Sequence, residues 1–225
     1  MSDIEFRYFF DPLCGWCYAS APALAAIEES YGSQLRMMPT GLFFEPRPIT
    51  IIADHAWRND QRISELTGQR FSESYLLNVL QAPNGVFTSG PLTLALAILG
   101  EIDVDLEPRF LHAAQVARYV EGRDTSRIEE VVRVAEAVAA ANDAAINAVI
   151  FAERLQSDTT LLDRVKARMA TARSELQSFG NGVPQVLVQM GKVVQVVEGE
   201  VLYGGKHRMH ATILRLRERQ SAGSP

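Results

Sequence analysis

The sequence predicts a mixed α/β fold in which one sheet is assembled from the two ends of the chain around a long all-helical block. Three observations carry this. A strand–helix–strand pattern fills the segment from Ile4 to Pro39. From about Ile49 to Phe179 nearly every stretch has apolar residues at helical spacing. After Gly180-Asn181-Gly182 the strand pattern returns twice before a last helix. Two strands at the end of the chain need a sheet to join, and the N-terminal strands supply it. The expected division is residues 1–45 and 180–225 in the sheet-bearing domain and 46–179 in a helical insertion domain.

The elements read in order as follows. Ile4, Phe6, Tyr8 and Phe10 alternate with Glu5, Arg7 and Phe9, a strand over Ile4–Phe10. Asp11-Pro12-Leu13 is a turn, and Cys14 stands where a helix begins. Ala19–Tyr31 has helix-forming composition, with Pro22 predicting a kink or early break and Gly32 a stop. Gln34–Pro39 is the second strand, parallel to the first across a βαβ connection. Helices are expected at Ile49–Thr67, Glu73–Leu80, Thr88–Leu99, Pro108–Val120, Ser126–Ala140 and Asp158–Ser178, the last capped by Ser157 or Asp158. The Ala-rich stretch Val134–Ala145 fits close helix packing. Pro184–Met190 and Val193–Val197 form a hairpin about Gly191-Lys192. The final helix, Lys206–Arg219, turns Met209, Ile213 and Leu216 inward, and Ser221–Pro225 are expected to fray.

Composition narrows the function. The chain has 225 residues, 47% of them hydrophobic, enough for a sizeable core. A formal net charge of -5 lacks the basic footprint of a nucleic-acid binder. Arg215, Arg217 and Arg219 are interrupted by apolar residues and read as a solvated helix face. No segment has the apolar length of a membrane span. The start, Met-Ser-Asp-Ile-Glu-Phe-Arg, is acidic where a secretory leader is basic, so a cytoplasmic location is expected.

The chain contains two cysteines, Cys14 and Cys17. In a reducing compartment such a pair is catalytic, redox-sensing or metal-binding before it is structural. Structural zinc takes four ligands. No second cysteine pair exists, and His55, His112, His207 and His210 lie far away in sequence, so no metal site is expected. Cys14-Gly15-Trp16-Cys17 follows a strand and opens a helix. Unpaired backbone N–H groups and the helix dipole favour negative charge there. This predicts a favoured thiolate at Cys14, the attacking nucleophile, and a less exposed resolving thiol at Cys17. Trp16 shields the disulfide or caps the helix start.

Phe10-Asp11-Pro12-Leu13-Cys14-Gly15-Trp16-Cys17-Tyr18 resembles the active-site segment of the DsbA-like thioredoxin superfamily, in particular its cytoplasmic FrnE-like, protein-disulfide-isomerase branch. Pro22, Gly182-Val183-Pro184 and Arg118-Tyr119-Val120-Glu121-Gly122-Arg123-Asp124 resemble further segments of that group. The resemblance implies a thioredoxin-like fold with a large all-helical insertion and dithiol–disulfide exchange. It implies a cis Pro184, with Val183 facing the disulfide and pairing its backbone with an extended peptide or glutathione. Trp16, Val183 and Pro184 would contact substrate, a protein or glutathione thiol or disulfide, and Gly15 and Tyr8 would support the site. The only cofactor implied is the redox-active disulfide itself, with glutathione as co-substrate. Tyr8 departs from the pattern, because a buried proton-transferring acid commonly stands six residues before the first cysteine. Gln185 and Val186 also depart, following Pro184 where a Thr is common.

Two other classes fit parts of this sequence. Kappa-type glutathione transferases and 2-hydroxychromene-2-carboxylate isomerases share the arrangement but lack the second cysteine. Leu202–Met209 faintly resembles their glutathione-holding helix start, with Lys206 and His207 in place of the usual acid. A surface helix is the plainer reading of that segment. A redox-sensing binding module, gripping a partner with its helical block, is the third class.

Overall fold

The computed structural model describes residues 4–222. The chain opens with β1 (Ile4–Phe10), turns at Asp11–Leu13 and enters α1 (Gly15–Ala19). Ser20 separates α1 from α2 (Ala21–Tyr31), so the proline expected to kink one helix marks the seam between two. Pro22 lies in the first turn of α2, where the N–H it lacks has no intrahelical partner to lose. A 3-10 turn at Gly32–Gln34 leads into β2 (Leu35–Pro39).

The middle of the chain is helical with one small exception. It runs through β3 (Arg47–Pro48), α3 (Ala53–Thr67) and α4 (Glu73–Tyr75), which continues as a π-helical turn at Leu76–Leu80. Then come β4 (Val86–Phe87), α5 (Gly90–Ile102), α6 (Leu106–Tyr119), α7 (Ile128–Ala141), α8 (Ala148–Ser157) and α9 (Thr159–Leu176). β3 and β4 pair antiparallel as a two-residue ribbon, too short to show any periodicity in sequence. The Ala-rich stretch does not stay helical to its end. α7 stops at Ala141, Asp143 takes φ +56, and Asn147 caps α8 by accepting the Ile150 N–H at 3.1 Å. Asp158 caps α9 through the Leu161 N–H at 2.8 Å.

The chain closes with β5 (Gln185–Met190), β6 (Val193–Val196), a short α10 (Gly199–Leu202) and α11 (Gly205–Ala222). α11 keeps Ser221 and Ala222 helical; the rest of the segment expected to fray lies outside the described residues. The sheet order is β2-β1-β5-β6, joining the two ends of the chain. β1 runs parallel to β2, with Phe6 opposite Leu35, and antiparallel to β5, with Tyr8 opposite Val186.

Both faces of the sheet are covered, which explains why Phe9 is buried along with Phe6, Tyr8 and Phe10. α2 and α11 cover one face with Ile27, Met209 and Ile213, and one apolar cluster runs from there into the helical block. On the other face Phe9 and Leu187 meet Ala172 and Leu176 of α9. α9 therefore serves the sheet as well as the helical block. It is held to α6 by Arg168 and Glu107, whose charged atoms lie 2.5 Å apart.

Candidate active site

The dithiol segment sits at the C-terminal end of β1, and a buried carboxylate sets its course. Asp11 Oδ1 accepts the Leu13 N–H at 2.9 Å, closing the turn. Asp11 Oδ2 accepts the Phe43 N–H and the Ser89 hydroxyl, each at 2.9 Å, which ties the loop after β2 and the start of α5 to the same point. Burial raises the Asp11 carboxyl above its ordinary range, against the lowering effect of those amides. The Asp-Pro dipeptide in the sequence marks the turn, but not its two long-range tethers.

Cys14 is the N-cap residue of α1, with an extended backbone at φ -79 and ψ 117. Both cysteines are free thiols, 8% exposed at Cys14 and 1% at Cys17. The Cys14 thiol points at the Val183 carbonyl, with Sγ 3.8 Å from the oxygen. The Cys17 N–H donates to Cys14 O at 2.9 Å, one turn behind. Burial pushes the Cys17 thiol well above its ordinary value, and the neighbouring Cys14 sulfur adds to the effect. The pair is unequal: one sulfur faces a cavity, and the other is sealed beneath it.

The remaining expected residues surround this pair. The Val183–Pro184 peptide is cis. Trp16 is half-buried and leans on Tyr203, ring centres 5.0 Å apart. Tyr8 is fully buried; its hydroxyl donates to Cys17 O at 3.2 Å and pairs with Ser20 Oγ at 2.9 Å. Tyr8 thus holds the backbone of α1, and burial keeps its phenol neutral. A methyl group at Gly15 would overlap Asp60 Oδ1 and reach within 3.1 Å of Ile63 Cδ1, so the bare backbone at residue 15 lets Asp60 and Ile63 of α3 come this close to α1.

A cavity of about 700 Å³ opens at Cys14. The α1 end contributes Cys14 and Trp16, α3 contributes His55 and Asp60, α9 contributes Arg173, and the loop before β5 contributes Val183. Asp60 is 3% exposed, accepts the Tyr75 hydroxyl at 3.1 Å, and has its carboxyl raised by burial to about 7. The Arg118 guanidinium stacks over the Tyr75 and Phe87 rings at 5.7 and 5.5 Å and reaches Asp124 at 3.5 Å. Asp60 and Tyr75 could not be picked from the sequence as site residues. Asp60 sits in Arg58-Asn59-Asp60-Gln61-Arg62, which reads as a solvated helix face. Lys206 lies elsewhere: its ammonium pairs with Glu29 at 2.5 Å, and the start of α11 does not line the cavity. Among the described residues no group of His, Cys, Asp and Glu is placed to hold a metal, and no helix is long and apolar enough to cross a membrane.

No protein-family model matches the chain, and neither does any curated protein sequence. Solved structures do. The cytosolic disulfide reductase DsbM from Pseudomonas aeruginosa is 28% identical with a TM-score of 0.80, covering 95% of this chain and 98% of its own. Its structure with GSH gives 28%, 0.79, 95% and 99%. This is a DsbA-like thioredoxin fold. A candidate protein disulfide isomerase from Nitrosomonas europaea shares it at 21% identity and a TM-score of 0.69, covering 95% of this chain and 98% of its own. A 2-hydroxychromene-2-carboxylate isomerase shares the DsbA-like fold alone, at 14% identity and 0.54, covering 98% and 99%. The close structural neighbours are disulfide reductases and isomerases.

Proposed function

We propose that this chain is a thiol–disulfide oxidoreductase that works through Cys14 and Cys17, reduces disulfides, and takes its electrons from glutathione in the cytosol. The observation that carries the reading is the unequal pair: Cys14 Sγ stands against the Val183 carbonyl at the mouth of a cavity, and Cys17 is sealed one turn behind. The likeness to a cytosolic disulfide reductase, also solved with GSH, supports the direction, the compartment and the thiol.

The chemistry follows from the geometry. The Cys14 thiolate attacks one sulfur of a substrate disulfide; a Cys14–substrate disulfide forms and the other substrate sulfur leaves as a thiolate. Cys17 loses its proton and attacks Cys14 Sγ, which frees the second substrate thiol and closes the Cys14–Cys17 bond. Two glutathione molecules then reverse the sequence at Cys14 and leave as glutathione disulfide. Val183 offers its backbone to the extended arm of the substrate, Pro184 shapes that loop, and Trp16 walls one side. Residues of the 46–179 segment, Ile52, His55, Ala56 and Asn59 among them, form the facing wall, so substrate choice resides there.

Equilibration of the pair against glutathione buffers tests this. Cys14→Ser should abolish exchange, and Cys17→Ser should accumulate a glutathione adduct at Cys14, read by intact mass. A Cys17→Ser protein that turns over glutathione at the full rate would replace the dithiol reading with a monothiol transferase or isomerase. Full activity in Cys14→Ser would leave the cysteines as a sensor in a binding module.

A further inference from the structure

Residue 8 is where an acid serving the dithiol was expected, and the Tyr8 hydroxyl found there is committed to Cys17 O and Ser20 Oγ. An acid does stand over the site, but it comes from another element. α3 crosses α1 at Gly15, and Asp60 Oδ1 lies where a Gly15 side chain would be, next to Cys14 in the chain. Asp60 Oδ2 is held by the Tyr75 hydroxyl at 3.1 Å. The carboxyl is buried, yet it borders the cavity that holds the Cys14 thiol.

The groups that act on Asp60 are Tyr75 from α4 and Arg118 and Tyr119 from α6, while Cys14 from the start of α1 and His55 of α3 line the same cavity. Tyr119 is fully buried and neutral, and its hydroxyl donates to Leu13 O at 2.8 Å. Arg118 is shared between two aromatic rings and Asp124, so it tempers Asp60 without forming an ion pair with it. Burial outweighs both Tyr75 and Arg118, and a carboxyl titrating at about 7 is populated in both forms near neutrality. That is the condition for passing a proton in either direction.

We propose that Asp60 is the proton donor and acceptor for the substrate sulfur at Cys14, a role distinct from that of an acid at residue 8 and supplied by the helical segment. This rests on the dithiol reading above. In the resolving step the Cys17 sulfur gives up its proton to solvent and attacks Cys14 Sγ. The Cys14–substrate S–S bond breaks, and its electron pair leaves on the substrate sulfur. The Asp60 carboxylic acid donates its proton to that sulfur, and the resulting carboxylate regains one from solvent. The mixed disulfide and Cys17 thiol have become the Cys14–Cys17 disulfide and a free thiol, with no net proton change. In the opposite step the Asp60 carboxylate takes the proton from glutathione as its sulfur attacks Cys14.

The test is the pH dependence of single-turnover exchange with glutathione in the whole chain, with iodoacetamide alkylation of Cys14 followed over the same range to report that thiol separately. The wild-type profile should bend near pH 7. Asp60→Asn should lose that bend and slow exchange roughly 100-fold, the low end of general acid–base contributions. Tyr75→Phe keeps the acid but removes a hydrogen bond that favours its ionised form, so the bend should persist and move to higher pH. A purely structural Asp60 predicts no such displacement. Asp60→Asn with the wild-type bend and a rate within about twofold, or Tyr75→Phe with the bend unmoved, overturns the proposal. Should Asp60→Asn fail to fold, Tyr75→Phe decides alone. Cys14→Ser separates the two claims: if it retains exchange the dithiol reading falls, and if it alone is inactive only the Asp60 role falls.

Discussion

At the scale of single residues, the site depends on what is absent at position 15 and what is buried at positions 11 and 60. Gly15 lets α3 approach, so Gly15→Ala should force Asp60 and Ile63 aside. The expected outcome is a loss of about 1–3 kcal/mol, the usual cost of overpacking, measured as a lower urea midpoint, together with slower exchange. Asp11→Ala removes the acceptor for the Leu13 and Phe43 amides and the Ser89 hydroxyl. A buried donor left unpaired costs about 1–3 kcal/mol, so this variant should fall by more than the glycine substitution in the same measurement. Its Phe43 loop, part of the cavity wall, should become open to proteolysis.

At the scale of elements, α9 does two things at once. Ala172 and Leu176 seal the second face of the sheet against Phe9 and Leu187, while Arg173, Leu176 and Gln177 form a side of the cavity. Truncation at Leu176 should therefore show in both properties. Leu176→Ala is expected to cost about 2–5 kcal/mol, as buried leucine truncations do, and to raise KM for glutathione more than it lowers kcat. An unchanged KM with the full stability loss would mean that α9 is only packing. The helix seam at Ser20 works at this scale too. Ending α1 after Ala19 leaves Ser20 Oγ free to bridge Tyr8 and Cys17 O, so the break before Pro22 also anchors the resolving cysteine.

At the scale of the whole molecule, three buried carboxyls, Asp11, Asp60 and Glu107, all have raised folded-state values, and burial is the leading cause in each. A raised carboxyl means that the folded chain binds more protons than the unfolded one between the two values. Stability should then fall as pH rises from the ordinary carboxyl range, about 4, to about 7 for Asp60, and level off above. Glu101, lowered by its Arg154 partner, works in the opposite sense and at lower pH. Urea unfolding of the wild type and of Asp60→Asn at about pH 5 and about pH 8 should show the variant gaining relative to wild type at the higher pH. An equal difference at both values would mean that the Asp60 carboxyl titrates as an ordinary one.

Strand and helix periodicity were legible in the sequence because they are local: alternation along β1, helical spacing in α7 and α9, the Gly191 turn between β5 and β6. The dithiol was legible for the same reason, since four consecutive residues after a strand define it. Ribbon β3–β4 was not, being two residues long. Nor were Asp60 and Tyr75. Each is a polar residue in a helix, and what distinguishes a buried carboxyl from a solvated one is the desolvation imposed by neighbours distant in sequence. Local chemistry thus determined the fold class and where the two thiols stand. Only the packing of α3 and α6 over α1 decided which acid borders the cavity at Cys14.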